Sequence, residues 1–274
     1  MRIRSFINRN NVSIGGEKAK KNYINLEWWH KKENIGDTLA KVVFEWMIEN
    51  NNLDKNKKTK NTVHLMTIGS LIGMYDFDTV VWGSGIHCVD NVKKVYIQRK
   101  YRKYDIRAVR GPITASILKS AGYQVNDIYG DPAILMPYIY NNNLQKKYKV
   151  SMILHLSQKS LNNDISEKDI HLIDVETDNY KKFIDEILES ELVISSSLHG
   201  IILAETYGVP AIFLKNGMEN EIMKFFDWYL STERNTIVMA NSIEEALKMS
   251  PMPLPNLSKM QKNLLNSFPI DLWN

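Results

Sequence analysis

Hydrophobic and polar positions follow two periods along this chain, and the switch between them is clearest from Leu192 to Leu214, LVISSSLHGIILAETYGVPAIFL. Leu192–Ile194 is a short apolar run that reads as a buried strand, Gly200–Tyr207 has helical spacing, and Pro210–Leu214 reads as the next strand. The unit is a strand–helix–strand crossover. Ser195, Ser196, Ser197, Leu198, His199 and Gly200 fall between the first strand and the helix. Unpaired helix N–H groups there attract anions. An isolated histidine beside an apolar helix is most simply a satisfied, half-buried side chain. Three serines before His199 and a glycine after it point instead to a cleft.

The same alternation runs through the rest of the chain. Asn22–Trp29 reads as a first strand and leads through Asn34-Ile35-Gly36-Asp37-Thr38 into a helix over Thr38–Asn50. Strands are predicted over Thr62–Thr67, Asp78–Trp82, Val92–Gln98 and Asp105–Val109. A helix follows over Ile113–Ser120, with Pro112 suited to its first turn. Asn141–Lys149, rich in Asn, Gln, Lys and Tyr, is the predicted linker. Beyond it come strands Val150–Leu156 and Ile170–Val175, helix Asn179–Glu189, the crossover above, helix Glu219–Leu230, strand Thr236–Met239 and helix Ile243–Met249. A proline-spaced stretch, Pro251–Pro255, precedes a last helical segment, Leu257–Asn266. This β/α order in both halves predicts two α/β domains, 1–140 and 150–250, with mainly parallel sheets facing across a cleft. Residues 251–274 form a helical tail expected to cross back to the first half.

Composition narrows the function classes. At 274 residues with 44% hydrophobic content, the chain can bury two medium cores. A net charge of +4 suits an anionic substrate or an anionic lipid surface. It is too small to indicate nucleic acid, which calls for a dense basic stripe. The clusters Lys18–Lys21, Lys55–Lys60 and Gln98–Lys103 read as solvated faces. A lone cysteine, Cys88, allows no intramolecular disulfide and no CxxC zinc site. Met1–Ser13 has no apolar leader core, and no apolar run reaches the roughly 18–20 residues of a spanning helix. A cytoplasmic location is the expectation.

Candidate chemistry sits where predicted strands end. Asp37, near a helix N-terminus, reads either as an N-cap or as a group binding or deprotonating a substrate hydroxyl. Gly83-Ser84-Gly85, followed by His87, would let backbone amides approach a ligand, but lacks the dinucleotide fingerprint. Arg110 stands just before a helix and Arg107 three residues earlier, and either could form a phosphate or carboxylate fork.

Taken together, NIGDT at Asn34–Thr38, WGSGIH at Trp82–His87, RAVRGP at Arg107–Pro112, YGDPAIL at Tyr129–Leu135 and SSSLHGIILAETYGVPAI at Ser195–Ile212 resemble the polysaccharide pyruvyl transferase family, in that family's order. The resemblance implies two Rossmann-like domains similar to GT-B glycosyltransferases, with the acceptor on the N-terminal side and the donor on the C-terminal side. It implies transfer of a pyruvyl group from phosphoenolpyruvate to a sugar hydroxyl with no metal or other cofactor. The acceptor would be a bacterial surface polysaccharide or its lipid-linked precursor, with peripheral contact at the inner membrane face. By this similarity His199 is a proton donor or phosphate ligand, Asp37 a base on the acceptor side, and Arg110 an anion clamp. Asn34, Gly36, Gly83, Ser84, Gly85, His87, Ser195–Ser197, Leu198, Gly200 and Arg107 complete the expected site. Many relatives read S-R-L-H where this chain has Ser197, so either Lys215, Arg107 or His87 supplies the missing cation or the donor is held differently. Two other readings are a nucleotide-sugar glycosyltransferase on the same frame, which predicts nucleotide binding, and a noncatalytic sugar- or partner-binding module that has lost activity along with the arginine expected at position 197.

Overall fold

A computed structural model describes residues 18–30, 32–161 and 169–274; the Met1–Ser13 stretch considered above lies outside them. Two parallel sheets organise the chain. In the first, β1 (Ile24–Glu27), β2 (Val63–Met66), β3 (Thr79–Trp82) and β4 (Tyr104–Ala108) lie side by side in chain order. Helix α1 (Ile35–Asn50) connects β1 to β2 and α2 (Val89–Gln98) connects β3 to β4. Helix α3 (Pro112–Ser120) follows β4, and a 3-10 turn, Pro132–Leu135, leads into the short α4 (Met136–Ile139).

The second sheet contains β5 (Tyr148–Ile153), β6 (His171–Leu172), β7 (Ser190–Ser195), β8 (Ala211–Leu214) and β9 (Met239–Ala240), in the spatial order β6-β5-β7-β8-β9. Its helices are α5 (Tyr180–Leu188), α6 (Leu198–Thr206), α7 (Ile222–Ser231) and α8 (Ile243–Ala246). Because β6 and β7 flank β5 on opposite sides, the strand order reverses between β5 and β7. Open α/β sheets bind ligands at the carboxyl ends of strands beside such a reversal.

One expected strand is a helix. Over Val92–Gln98 the chain forms most of α2, with Asn91, Val95 and Gln98 buried on one face while Lys93, Lys94, Tyr96 and Ile97 face outward. The apolar residues recur at three- and four-residue intervals rather than two, so a strand would have buried lysine. Two helices also begin earlier than their apolar spacing suggests. Helix α1 starts at Ile35 with Asn34 as N-cap, its side chain accepting from Gly36 N at 2.9 Å. Helix α6 starts at Leu198, which puts His199 inside its first turn.

The halves share one core. Ile35, Leu39 and Trp82 of the first belong to the same buried cluster as Phe183, Ile201, Phe213 and Trp228 of the second. Ile35 N also donates to the Val175 carbonyl at 2.9 Å. The final helix, α9 (Ser258–Ser267), brings the tail onto the first half. There Trp82 Nε1 donates to the Leu264 carbonyl at 3.0 Å, the Phe268 ring meets the Trp82 ring edge-on, and Trp273 Nε1 donates to the Asp54 carbonyl at 3.1 Å.

The most constrained link between the halves is an ion pair with both members 1% exposed, Arg110 and Asp227 of α7. Arg110 Nε donates to Asp227 Oδ2 at 3.2 Å. Asp227 also accepts from Thr114 N at 3.0 Å and Thr114 Oγ1 at 2.7 Å. Gly111, the N-cap of α3, has no side chain to bind those first-turn donors, so a carboxylate from the other half serves as the cap. A Cβ at residue 111 would lie 2.0 Å from the Asp227 carbonyl oxygen, so only glycine admits this approach. Removing one member strands a buried charge. Asp227→Ala is therefore expected to lower unfolding stability by about 3–5 kcal/mol, measured by urea denaturation; a change under about 1 kcal/mol, the worth of an exposed pair, would contradict this reading.

Candidate active site

Carboxyl ends of strands from both sheets converge on a cavity of about 370 Å³. The first half lines it with Trp29, Asn34, Asp37, Gly69, Ser70, Leu71, Met74 and His87. The second contributes His155, Leu156, Ser197, Leu198, His199, Glu221 and Lys224. His155 follows β5 and Ser197–His199 follow β7, so the wall from the second half sits at the reversal in strand order. Small-molecule sites are commonly about 300–1,000 Å³.

His199 is set by close packing. A Cβ at residue 36 would fall 2.0 Å from His199 Nδ1, so Gly36 in the first turn of α1 is what admits the imidazole. Its Nε2 lies 3.5 Å from Oδ2 of the fully buried Asp131. Both of these atoms are buried and neither has a hydrogen-bond partner among the described residues. The other oxygen, Asp131 Oδ1, accepts from Ala133 N at 3.0 Å, which fixes the carboxylate. The carboxylate thus faces one edge of the imidazole at ion-pair distance, placed to orient the ring.

Asp37 is not the cap of α1, since Asn34 fills that role and Asp37 lies in the first turn. Burial pushes its carboxyl from 3.8 to about 6, against the opposing pull of His199 and Lys224. A near-neutral carboxyl in a pocket is suited to exchanging protons with a hydroxyl.

A second charged group faces it. Lys224 Nζ bonds Glu221 one helical turn earlier, and burial lowers the lysine's pKa while Glu221 opposes that. His87 Nε2 and His155 Nε2 stand 3.9 and 3.8 Å from the two Glu221 oxygens. Burial, then the nearby Lys224, holds both histidines below their ordinary value, His155 at about 4. Burial works to raise Glu221, but Lys224, His155 and His87 outweigh it and hold the carboxylate ionised. The cavity therefore carries one anchored lysine and two neutral imidazoles able to take up protons beside an anion. Among the described residues no three His, Cys, Asp or Glu side chains converge as a metal site.

The expected site residues divide into groups. Asn34, Asp37, His87, Ser197, Leu198 and His199 line the cavity. Others support the wall from behind. Ser84 Oγ donates to the Gly69 carbonyl at 2.8 Å and accepts from Leu71 N at 3.2 Å, pinning the loop that carries Ser70. Ser195 Oγ accepts from Ser197 N, and Ser196 Oγ accepts from His155 N at 2.9 Å. Gly83, at φ +89°, lies against Pro132, and Gly200 packs on Ser195 and Ile153.

Arg110 is not a pocket clamp. Besides Asp227, its guanidinium donates to Ser70 Oγ at 2.7 Å and the Ile86 carbonyl at 2.9 Å. It lies beneath Gly85, where a Cβ would sit 2.3 Å from Cζ. Arg107 is committed elsewhere, in paired bonds of 2.7–2.8 Å to Asp105 and Asp271. Lys215, at the end of β8, does not line the cavity. The pocket lysine is Lys224, which sequence reading passed over as part of an amphipathic helix. His155 was passed over because it fell inside the expected strand Val150–Leu156, whereas β5 ends at Ile153, two residues before it.

The family model described as polysaccharide pyruvyl transferase matches residues 75–217, just over half of the chain. This chain belongs to the polysaccharide pyruvyl transferase family. An uncharacterized protein of Acanthamoeba polyphaga mimivirus is 28% identical over 221 residues, spanning 76% of this chain and 74% of its own. The succinoglycan biosynthesis protein ExoV of Rhizobium meliloti is 30% identical over 135 residues, 46% of this chain and 40% of ExoV, so the match spans less than half of that relative. A solved structure of a functionally uncharacterized Klebsiella pneumoniae protein superposes with a TM-score of 0.53 at 17% identity, over 81% of this chain and 93% of its own. That likeness concerns the fold alone. Within the family match fall His87, Arg110, Asp131, His155 and His199, while Asp37, Glu221 and Lys224 lie outside it.

The state of Asp37 has a measurable consequence. Its raised pKa means that the folded protein holds this proton more tightly than the unfolded chain does. The ionised form thus costs stability above about pH 6 and costs nothing well below 3.8. The rise corresponds to about 3 kcal/mol. Asp37→Asn is expected to be more stable than the wild type near pH 8 by up to about that amount, with the gap closing toward pH 4. A urea midpoint equal to wild type at both pH values would contradict the burial of an ionising carboxyl here.

Proposed function

We propose that the cavity binds phosphoenolpyruvate and transfers its pyruvyl group to two hydroxyls of a sugar, forming a ketal, as the donor half of a two-lobed, GT-B-like enzyme. The observation that carries this reading is the convergence of His199, Asp37 and Lys224, with two proton-poor histidines, between helix N-termini at a strand-order reversal. Phosphoenolpyruvate is a trianion with a phosphate and a carboxylate. Lys224 and the free amides at the start of α6 supply attraction for these groups. Lys224 and His87 take the place of the arginine that relatives with S-R-L-H carry where this chain has Ser197.

The chemistry needs a proton at the methylene carbon, C3, and an oxygen at C2. His199 delivers the proton to C3, with Asp131 fixing its ring. The acceptor hydroxyl adds to C2 as Asp37 takes its proton. A second hydroxyl then attacks C2 and the C–O bond to phosphate breaks. Of the two hydroxyl protons, one replaces that given to C3 and the other leaves on inorganic phosphate. Trp29 and Met74 offer an apolar wall for the sugar ring. The acceptor is a surface polysaccharide unit or its lipid-linked precursor, and similarity to the succinoglycan biosynthesis protein ExoV supports a polysaccharide acceptor.

Binding a trianion beside His87 and His155 raises pKa values that burial and Lys224 hold down. Protons are then taken up, and affinity for phosphoenolpyruvate rises as pH falls. Calorimetry in two buffers of different ionisation enthalpy is expected to show this uptake, with UDP- and CMP-sugars as silent controls; a response to a nucleotide sugar alone would overturn the donor. In turnover with a pyruvylatable glycan, His199→Ala is expected to lower kcat by about 10²–10⁴-fold. Asp131→Asn should keep KM for phosphoenolpyruvate while lowering kcat and shifting the pH profile. Unchanged kcat in both variants would remove the proton-donor role.

A further inference from the structure

We propose that helix α2 is a membrane-contact surface that seats the protein on an anionic lipid bilayer. Of the large hydrophobic side chains that stay exposed among the described residues, four lie on α2 or just past its end: Val89 at 65%, Ile97 at 55%, Tyr96 at 44% and Tyr101 at 42%. A helical repeat of 100° per residue puts Val89, Lys93, Tyr96, Ile97 and Lys100 on one outward stripe. Asn91, Val95 and Gln98 occupy the opposite, buried face. The stripe is therefore surplus to the core.

Its charge selects the partner. Between residues 89 and 103 Asp90 is the one acid, against six basic residues. Asp90 is matched by Lys93 at 3.2 Å, Arg99 is turned back to the Gly122 carbonyl, and Arg102 is buried against Asp76 at 2.9 Å. Lys94, Lys100 and Lys103 are exposed on the same segment. Lysine interleaved with valine, isoleucine and tyrosine on an exposed helix suits the headgroup region, where rings and aliphatic chains enter the acyl boundary and ammonium groups meet anionic lipid. A protein partner matching the apolar stripe would not need the lysines that divide it.

The position fits the work of the pocket. His87, which lines the cavity, precedes the helix by two residues. A lipid face at α2 would thus hold a lipid-borne acceptor near the chain segment that carries His87. That last role rests on the proposed pyruvyl transfer, whereas the bilayer contact does not.

Flotation of the purified protein with vesicles separates the two. With vesicles of phosphatidylcholine and phosphatidylglycerol at low salt the protein is expected to float, and with phosphatidylcholine alone to remain below. Each Lys→Gln change at 93, 94 or 100 should weaken partitioning about fivefold, and Val89→Ser with Ile97→Ser at least about tenfold. These exposed positions leave the fold intact, checked by an unchanged urea midpoint, and phosphoenolpyruvate binding should not change. Failure to float on anionic vesicles, equal flotation on both lipids, or variants that float like the wild type would overturn the proposal. So would a dimer in sedimentation that disappears in the variants without vesicle binding.

Discussion

The carboxylate of Asp227 is the constraint on which the rest of this molecule turns. Buried with Arg110 and accepting from Thr114, it holds α7 of one half against α3 of the other. A buried ion pair rarely adds much net stability over an apolar replacement, but it fixes orientation because any other pairing leaves a charge unmatched. Here that orientation places Lys224 and Glu221, on or beside the same helix, opposite His87 and Asp37. The guanidinium extends the constraint into the wall through Ser70. Arg110 therefore acts on ligands through the geometry it imposes.

Within that frame, burial sets the chemistry. One desolvated space pushes Asp37 up, His87, His155 and Lys224 down, and leaves Glu221 ionised beside Lys224. These are the opposing shifts expected where groups exchange protons rather than merely pair. Glycine makes the crowding possible. Gly36 yields space to His199, Gly85 to the Arg110 guanidinium, and Gly111 to the backbone of Asp227. Each is a place where two halves or two elements approach more closely than a methyl group allows.

Much of the fold was legible because strand and helix periods differ and are interrupted by glycine, proline and asparagine. The crossover around His199 was read nearly as it stands, with two parallel strands and the helix between them. The Val92–Gln98 segment failed because apolar residues facing solvent on α2 blurred its helical spacing into a strand-like run. The site was legible where chemistry sits at a strand end, as with His199, Asp37 and His87. It was not legible where partners come from distant sequence. Nothing local to Arg110 announces Asp227, 117 residues away, and nothing local to Lys224 shows that its helix folds over the pocket. Arg107, by residue type an equally good anion ligand, is consumed by Asp105 and by Asp271 of the tail.

The central claim is that phosphoenolpyruvate occupies the space between the N-termini of α1 and α6. Its most direct test is a crystal structure of the protein with phosphoenolpyruvate or a nonreactive analogue bound. The account predicts the ligand's anionic groups against Lys224 and the Leu198 and His199 amides, with its C3 carbon facing His199. Ligand bound instead at Arg107 or Lys215, with the cavity filled only by water, would contradict it.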